Sequence, residues 1–213
     1  MSIQDIIQII LFITLLIAFT PILGNYMSNV FTGSRHFMQP VFGWSERLIY
    51  KFAGINSNEE TNWKFYTFGL LLFNLTGFVF VFLIQIFQQY LPFNPSHLAN
   101  VSWHSAFNTS VSFVTNTNWQ GYAGETTLSY FVQMVGLTVQ NFVSAATGIA
   151  VILAVIRGIS RKTTDKLGNF WTDLTRSVLY VLLPLSIIFA IILVGQGVVQ
   201  NFNSYETIQT LQG

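Results

Sequence analysis

Four stretches of the chain are apolar almost without interruption: Ile3 to Leu23, Phe65 to Phe87, Thr126 to Ile156 and Val178 to Val199. At about 1.5 Å of rise per residue, each is long enough as a helix to cross roughly 30 Å of hydrocarbon. None contains Lys or Arg, and Asp5, at the very start of the first, is their one acidic residue. A charge at mid-bilayer costs roughly 2.5 to 3.5 kcal/mol even on an insertion scale, so the pattern predicts four transmembrane helices. The first stretch has no basic segment ahead of it and exceeds the usual apolar length of a signal peptide. It is read as a retained span.

Two of the connections carry patterns of their own. Within residues 25 to 62, the run from Trp44 to Phe52 interleaves Glu46, Arg47 and Lys51 with Leu48, Ile49 and Tyr50. That fits a short interfacial helix, and it fits a solvated loop with incidental aromatics equally well. Residues 88 to 125 open with Pro92 and Pro95, which stop the second span. A helix-like run follows from Trp103 to Val114, with Ser102 as its N-cap and Trp103, Ala106, Phe107, Val111 and Val114 near one face. Its length is about 18 Å, roughly half the hydrocarbon thickness. A re-entrant pore helix and an amphipathic helix on the outer surface both match that periodicity.

The residues after this run favour the re-entrant reading. Thr115, Asn116, Thr117, Asn118, Trp119 and Gln120 place polar side chains and backbone carbonyls just past a helix C-terminus, where the helix dipole favours cations. Ion filters replace a cation's hydration shell with carbonyl oxygens. Such backbones need unusual φ values, and Asn is among the few residues besides Gly that adopt them readily. The same residues are also an ordinary Asn/Thr turn composition. In the third stretch, Gln133, Gln140, Asn141, Ser144, Thr147 and Gly148 interrupt the apolar pattern, with Asn141, Ser144 and Gly148 on one helical face. Gln140, Asn141 and Ser144 are candidates for lining a pore or for packing helices together. Asn74, Thr76 and Gly77 repeat the small-polar theme in the second span.

Composition sharpens the class. Hydrophobic residues make up 52% of 213 positions and charged residues 8%, against about 25% charged in a soluble domain. The expected fold is an all-α polytopic membrane protein. All nine Lys and Arg residues lie in or beside the 25 to 62 and 158 to 176 connections, and basic loops accumulate in the cytosol. Both termini and residues 88 to 125 are therefore expected outside. The chain has no Cys, which excludes disulfides and metal or iron–sulfur sites built on thiolates. A net charge of +1 gives no footprint for nucleic acid. There is no GxxxxGK[ST] phosphate loop, and Asp165 with Lys166 reads as a solvated charge pair rather than a phosphorylation site. His36, His97 and His104 lack metal-ligand spacing. Glu125 stands at the mouth of the third span, either attracting cations or serving as a first-turn helix residue.

Two segments, SFVTNTNWQGYAGETTLSYF at 112 to 131 and VQNFVSAATGIAV at 139 to 151, closely resemble the potassium-binding (KdpA) family of the bacterial Kdp potassium-transporting ATPase. Asn62, Trp63 and Lys64, and Tyr90 through Pro95, agree at corresponding places, and the resemblance runs along nearly the whole chain. It implies a potassium-channel-like fold of four repeats, each a span, a pore helix, a filter loop and a second span. On that scheme residues 1 to 24 are an extra amino-terminal transmembrane helix and 25 to 62 a cytoplasmic loop. Residues 63 to 157 are the first repeat and 158 to 176 another cytoplasmic loop. Residues 177 to 213 are the first helix of a second repeat with an outward tail, and the chain is an amino-terminal fragment.

The resemblance further implies that Thr115, Asn116, Thr117 and Asn118 form one filter strand, that Gln120 holds a selectivity-critical outer position and that Trp119 packs the flank. The filter here departs from Gly-rich potassium channels, since no Gly occurs until Gly121. Potassium is the implied substrate, with no covalent cofactor. The implied partners are a P-type ATPase subunit that hydrolyses ATP, a small single-span subunit, and a third accessory subunit, together in the bacterial inner membrane. A rival reading is a non-transporting membrane scaffold whose 103 to 120 segment lies on the outer surface. A gradient-driven secondary transporter is disfavoured, because the spans hold no unpaired acid for proton coupling.

Overall fold

Each apolar stretch forms a helix in the computed structural model, which describes residues 2–199 and 201–204. Residues 205 to 213 of the expected outward tail lie outside the described residues. Helix α1 (Ile3–Thr32) starts in a capping box, in which the Ser2 hydroxyl accepts from Asp5 N and the Asp5 carboxylate accepts from Ser2 N. It runs well past Leu23, where a loop was expected. Tyr26, Met27, Val30 and Phe31 extend it by packing on Leu179, Tyr180 and Val181. Before that contact its side chains are exposed along their whole length.

Helix α2 (Gln39–Ala53) is longer than the Trp44 to Phe52 run, because Pro40 pre-sets the first turn. Strand β1 (Thr61–Asn62) leads directly into helix α3 (Trp63–Ile86), whose N-cap Asn62 accepts from Lys64 N and Phe65 N. Helix α4 (Trp103–Val114) has the bounds and the Ser102 cap that the sequence suggests. The third span does not begin at Thr126. A short helix α5 (Gly124–Thr127) ends at an extended Leu128, and the long helix α6 (Val132–Ser160) begins after it, π-helical over Val132–Thr138. Strand β2 (Lys166–Gly168) pairs antiparallel with β1, with Thr61 facing Gly168, in what was expected to be loop.

Helix α7 (Phe170–Gly195) starts well before the expected Val178 and is π-helical over Ser177–Leu182. Asp173 and Arg176 lie in its first turns, and both are paired. Arg157, near the end of α6, grips Asp173 with both terminal nitrogens, and the Tyr66 hydroxyl donates to the same carboxylate at 3.0 Å. Arg176 Nε meets Glu46 of α2 at 2.9 Å. Burial alone would raise the Glu46 carboxyl, but donors from Tyr180, Arg176 and Tyr50 outweigh it and hold it below the usual carboxylate range. Neutralised pairs let charge sit in a helix that composition alone would have started later.

Four of these helices, α1, α3, α6 and α7, are long and apolar enough to cross a membrane. Their outer faces expose Leu, Ile, Val and Phe, while Gln85, Gln140, Ser144, Thr147 and Asp173 are buried within the fold. That inside-polar, outside-apolar arrangement suits a chain solvated by lipid.

Gly168 joins the strand pair to the Arg157 site. Its φ of +102° disfavours any L side chain, and a Cβ there would overlap the Arg157 guanidinium. Gly168→Ala is expected to cost about 2 to 3 kcal/mol through backbone strain and displacement of that guanidinium. The thermal midpoint of the purified protein in detergent checks this, and an unchanged midpoint counts against it.

Candidate functional site

Helix α4 is unusual in which side it buries. Ala106, Thr109, Ser110, Ser112 and Phe113 face inward, whereas Trp103, Phe107 and Val111 are exposed. The expected apolar face is therefore mostly the outward one. The polar face is received by the end of α3, where fully buried Gln85 donates to Ser110 Oγ at 3.2 Å and to Val81 O at 2.9 Å. The Tyr122 hydroxyl donates to Gln85 Oε1 at 3.1 Å and lies 3.0 Å from the Thr109 hydroxyl, which donates in return. Burial pushes the Tyr122 hydroxyl pKa up, and the bond to Thr109 offsets this only in part.

The loop after α4 leaves through a Schellman turn. Thr117 N bonds to Ser112 O at 2.8 Å and Asn116 N to Phe113 O at 3.3 Å, with Asn116 at φ +59° in the position where Gly is usual. Asn118 repeats the left-handed conformation at φ +56°. The unusual φ values anticipated for these two Asn residues are thus present. Thr115 through Trp119 are exposed and Gln120 is half-buried.

Side chains knit the loop together. The hydroxyls of Thr115 and Thr117 lie 3.0 Å apart, and Asn118 Nδ2 donates to Asn116 Oδ1 at 3.2 Å. Ser144 of α6 donates to the same Asn116 Oδ1 at 3.1 Å. Among the described residues, the carbonyls of Thr115, Thr117 and Asn118 accept no hydrogen bond. The segment offers a cation neutral oxygens at the negative end of a helix dipole and no carboxylate. Among the described residues, no cluster of His, Cys, Asp or Glu forms an alternative metal site.

The three α6 candidates separate. Ser144 is buried and touches the loop, whereas Asn141 is exposed. Gln140 is buried against α3, its carboxamide so close to Gly77 that a Cβ there would overlap it. Gln140 thus packs on α3, and its Nε2 has no hydrogen-bond partner among the described residues. Glu125 sits exposed in the first turn of α5.

Sequence reasoning passed over the groups that hold the loop in place. Ser112 Oγ accepts from Trp119 N at 2.7 Å. At the far end, fully buried Gln88 donates to Ala99 O and to Thr127 O, and accepts from Ser129 N at 3.1 Å. The available signal was polarity at the end of an apolar span: two glutamines, Gln85 and Gln88, one turn apart.

Residues 10–213 match the model of a family described as the potassium-transporting ATPase A subunit. The chain is 54% identical over 213 residues to a potassium-transporting ATPase potassium-binding subunit of Rhodospirillum centenum, and 51% identical over 212 residues to one of Geobacter sulfurreducens. A third, of Pseudomonas aeruginosa, is 52% identical over 213 residues. Each alignment covers 100% of this chain but only 36% to 38% of the relative. The chain thus spans little more than a third of the length of these relatives.

Proposed function

Because the chain belongs to the potassium-transporting ATPase A subunit family, we propose that it carries part of a potassium selectivity filter, formed by Thr115, Asn116, Thr117, Asn118 and Gln120. The filter takes up external potassium for ATP-driven import. The observation that carries this reading is the Schellman-terminated α4, whose C-terminus delivers two left-handed Asn residues into one short loop, together with carbonyls that accept no hydrogen bond among the described residues. A helix lying on the outer surface would keep its polar face in water. Here that face is sealed against α3 while aromatic and aliphatic side chains point outward, which supports a helix lowered into the membrane.

The loop is one strand of a ring whose other strands come from equivalent repeats. Residues 88 to 125 face outward and the Lys- and Arg-bearing connections face the cytosol of a bacterial inner membrane, with the amino terminus outside. ATP hydrolysis resides in a partner P-type ATPase subunit, with a small single-span subunit plus a third accessory subunit completing the assembly. No residue of this chain is assigned to phosphoryl transfer.

The test is cysteine accessibility at Asn116 and Gln120 in the assembled complex. Reaction with small cationic thiol reagents, slowed by potassium, together with protection from bulky impermeant ones, is the expected result. Full exposure to bulky reagents would instead favour the scaffold reading. Growth on limiting potassium, in cells lacking other uptake systems, gives the companion readout for the full-length subunit with its partners.

A further inference from the structure

Two buried serines on different helices converge on the loop, and we infer that Ser112 and Ser144 are positioning residues that set its ion discrimination. This rests on the filter reading above. The loop is exposed from Thr115 through Trp119, and although Asn takes the left-handed conformation more readily than other side chains, an exposed segment with two such residues has many competing conformations of similar energy. Something outside the loop must hold it in this one.

Ser112, in the last turn of α4, acts at two atoms. Its carbonyl receives Thr117 N and Asn118 N, which any residue type would supply. Its hydroxyl receives Trp119 N at 2.7 Å, which needs Ser or Thr. The loop is thereby folded back onto the helix that launches it, one residue before Gln120. Ser144 acts from α6 on the opposite end. It shares its proton between Asn141 O, at 3.1 Å, and Asn116 Oδ1, also at 3.1 Å. Asn116 Oδ1 in turn accepts from Asn118 Nδ2. One hydroxyl therefore orients a relay through both left-handed residues.

The serines themselves stay out of the path. Ser144 is 3% exposed and Ser112 9%, so each reaches the loop from within the packed protein. A filter whose liganding oxygens are firmly held can tell apart ions of like charge and different radius by the fit of each to the cage. Removing a pin leaves every carbonyl in place chemically and lets the loop relax around a larger ion.

The experiment places Ser112→Ala, Ser144→Ala, Ser112→Thr and Gln120→Arg in the full-length subunit within its assembled complex, and measures transport of potassium and of rubidium. For either alanine variant the expected KM for potassium rises about five- to ten-fold, the consequence of one lost hydrogen bond. The kcat is expected to fall by no more than about two-fold, and the potassium-to-rubidium preference to narrow. Ser112→Thr keeps the acceptor and is expected to restore both.

Wild-type KM and wild-type preference in both alanine variants, with Gln120→Arg impaired, would overturn the positioning role alone. If Gln120→Arg is also unimpaired, the filter reading itself falls. Loss of assembled complex with unchanged ion preference in the remainder would make the serines ordinary packing groups. Should Ser112→Ala fail to assemble, Ser144→Ala and Ser112→Thr decide the matter.

Discussion

Replacing Asp173 by alanine is expected to destabilise the protein by about 3 to 5 kcal/mol, the usual cost of stranding one member of a buried ion pair. Asp173 is 2% exposed, and its carboxylate takes both terminal nitrogens of Arg157 and the Tyr66 hydroxyl. Without it the Arg157 guanidinium, itself only 15% exposed, retains the Leu167 carbonyl as its partner among the described residues. The same change removes a carboxylate from the first turn of α7, where the helix dipole favours it. Three elements then lose their common tie, since Tyr66 belongs to α3, Arg157 to α6 and Asp173 to α7.

Removing both charges is expected to cost less than removing one. An Arg157→Leu, Asp173→Leu double variant leaves no unpaired charge behind, and buried pairs replaced by apolar groups of similar size are often close to neutral. Thermal unfolding in detergent of the wild type, the single variant and the double variant reads this out. A single variant as stable as the wild type, or a double variant worse than the single, would show that the pair is not buried in the way the geometry indicates.

The ion pair also shows where sequence reasoning stopped. Apolar length identified four spans, and α4 was legible down to its Ser102 cap because helix periodicity and capping are local. The left-handed Asn residues were legible for the same reason: a carbonyl-bearing turn without Gly has few other residues to use. Asp173 and Arg176 were read as loop because their partners, Arg157 and Glu46, lie on other elements, and only the fold reveals that their charges are neutralised. The continuation of α1 to Thr32 depends likewise on Leu179 to Val181, far along the chain. In α4 periodicity grouped Trp103, Phe107 and Val111 on one face without showing which side would be covered, and the structure leaves that face exposed while burying Ala106, Thr109, Ser110, Ser112 and Phe113. Ser112 escaped notice entirely. Nothing in VSFVTNTNWQ distinguishes a serine that accepts from a backbone amide seven residues on.

The second large effect is expected at Gln120, where an arginine would place a fixed positive charge at the outer end of the loop. Thr115 through Gln120 include no carboxylate, so on the proposed filter reading these residues offer a cation neutral oxygens and the negative end of the α4 dipole. A unit charge about 5 Å away, at an effective dielectric of about 20, opposes the ion by about 3 kcal/mol. That corresponds to roughly a hundred-fold loss of potassium affinity. Exposed Glu125 is the nearest acid along the chain and would screen part of this charge if the new side chain turned towards it. Gln120→Leu separates charge from the loss of the amide: it removes the polar group without adding repulsion, and its affinity is expected to fall by much less than that of Gln120→Arg. Potassium-stimulated ATP hydrolysis by the assembled complex, measured across potassium concentrations, distinguishes these outcomes. Equal losses in the two variants would mean that the Gln120 amide, rather than the local potential, governs entry. Wild-type affinity in Gln120→Arg would place the ion path away from this loop.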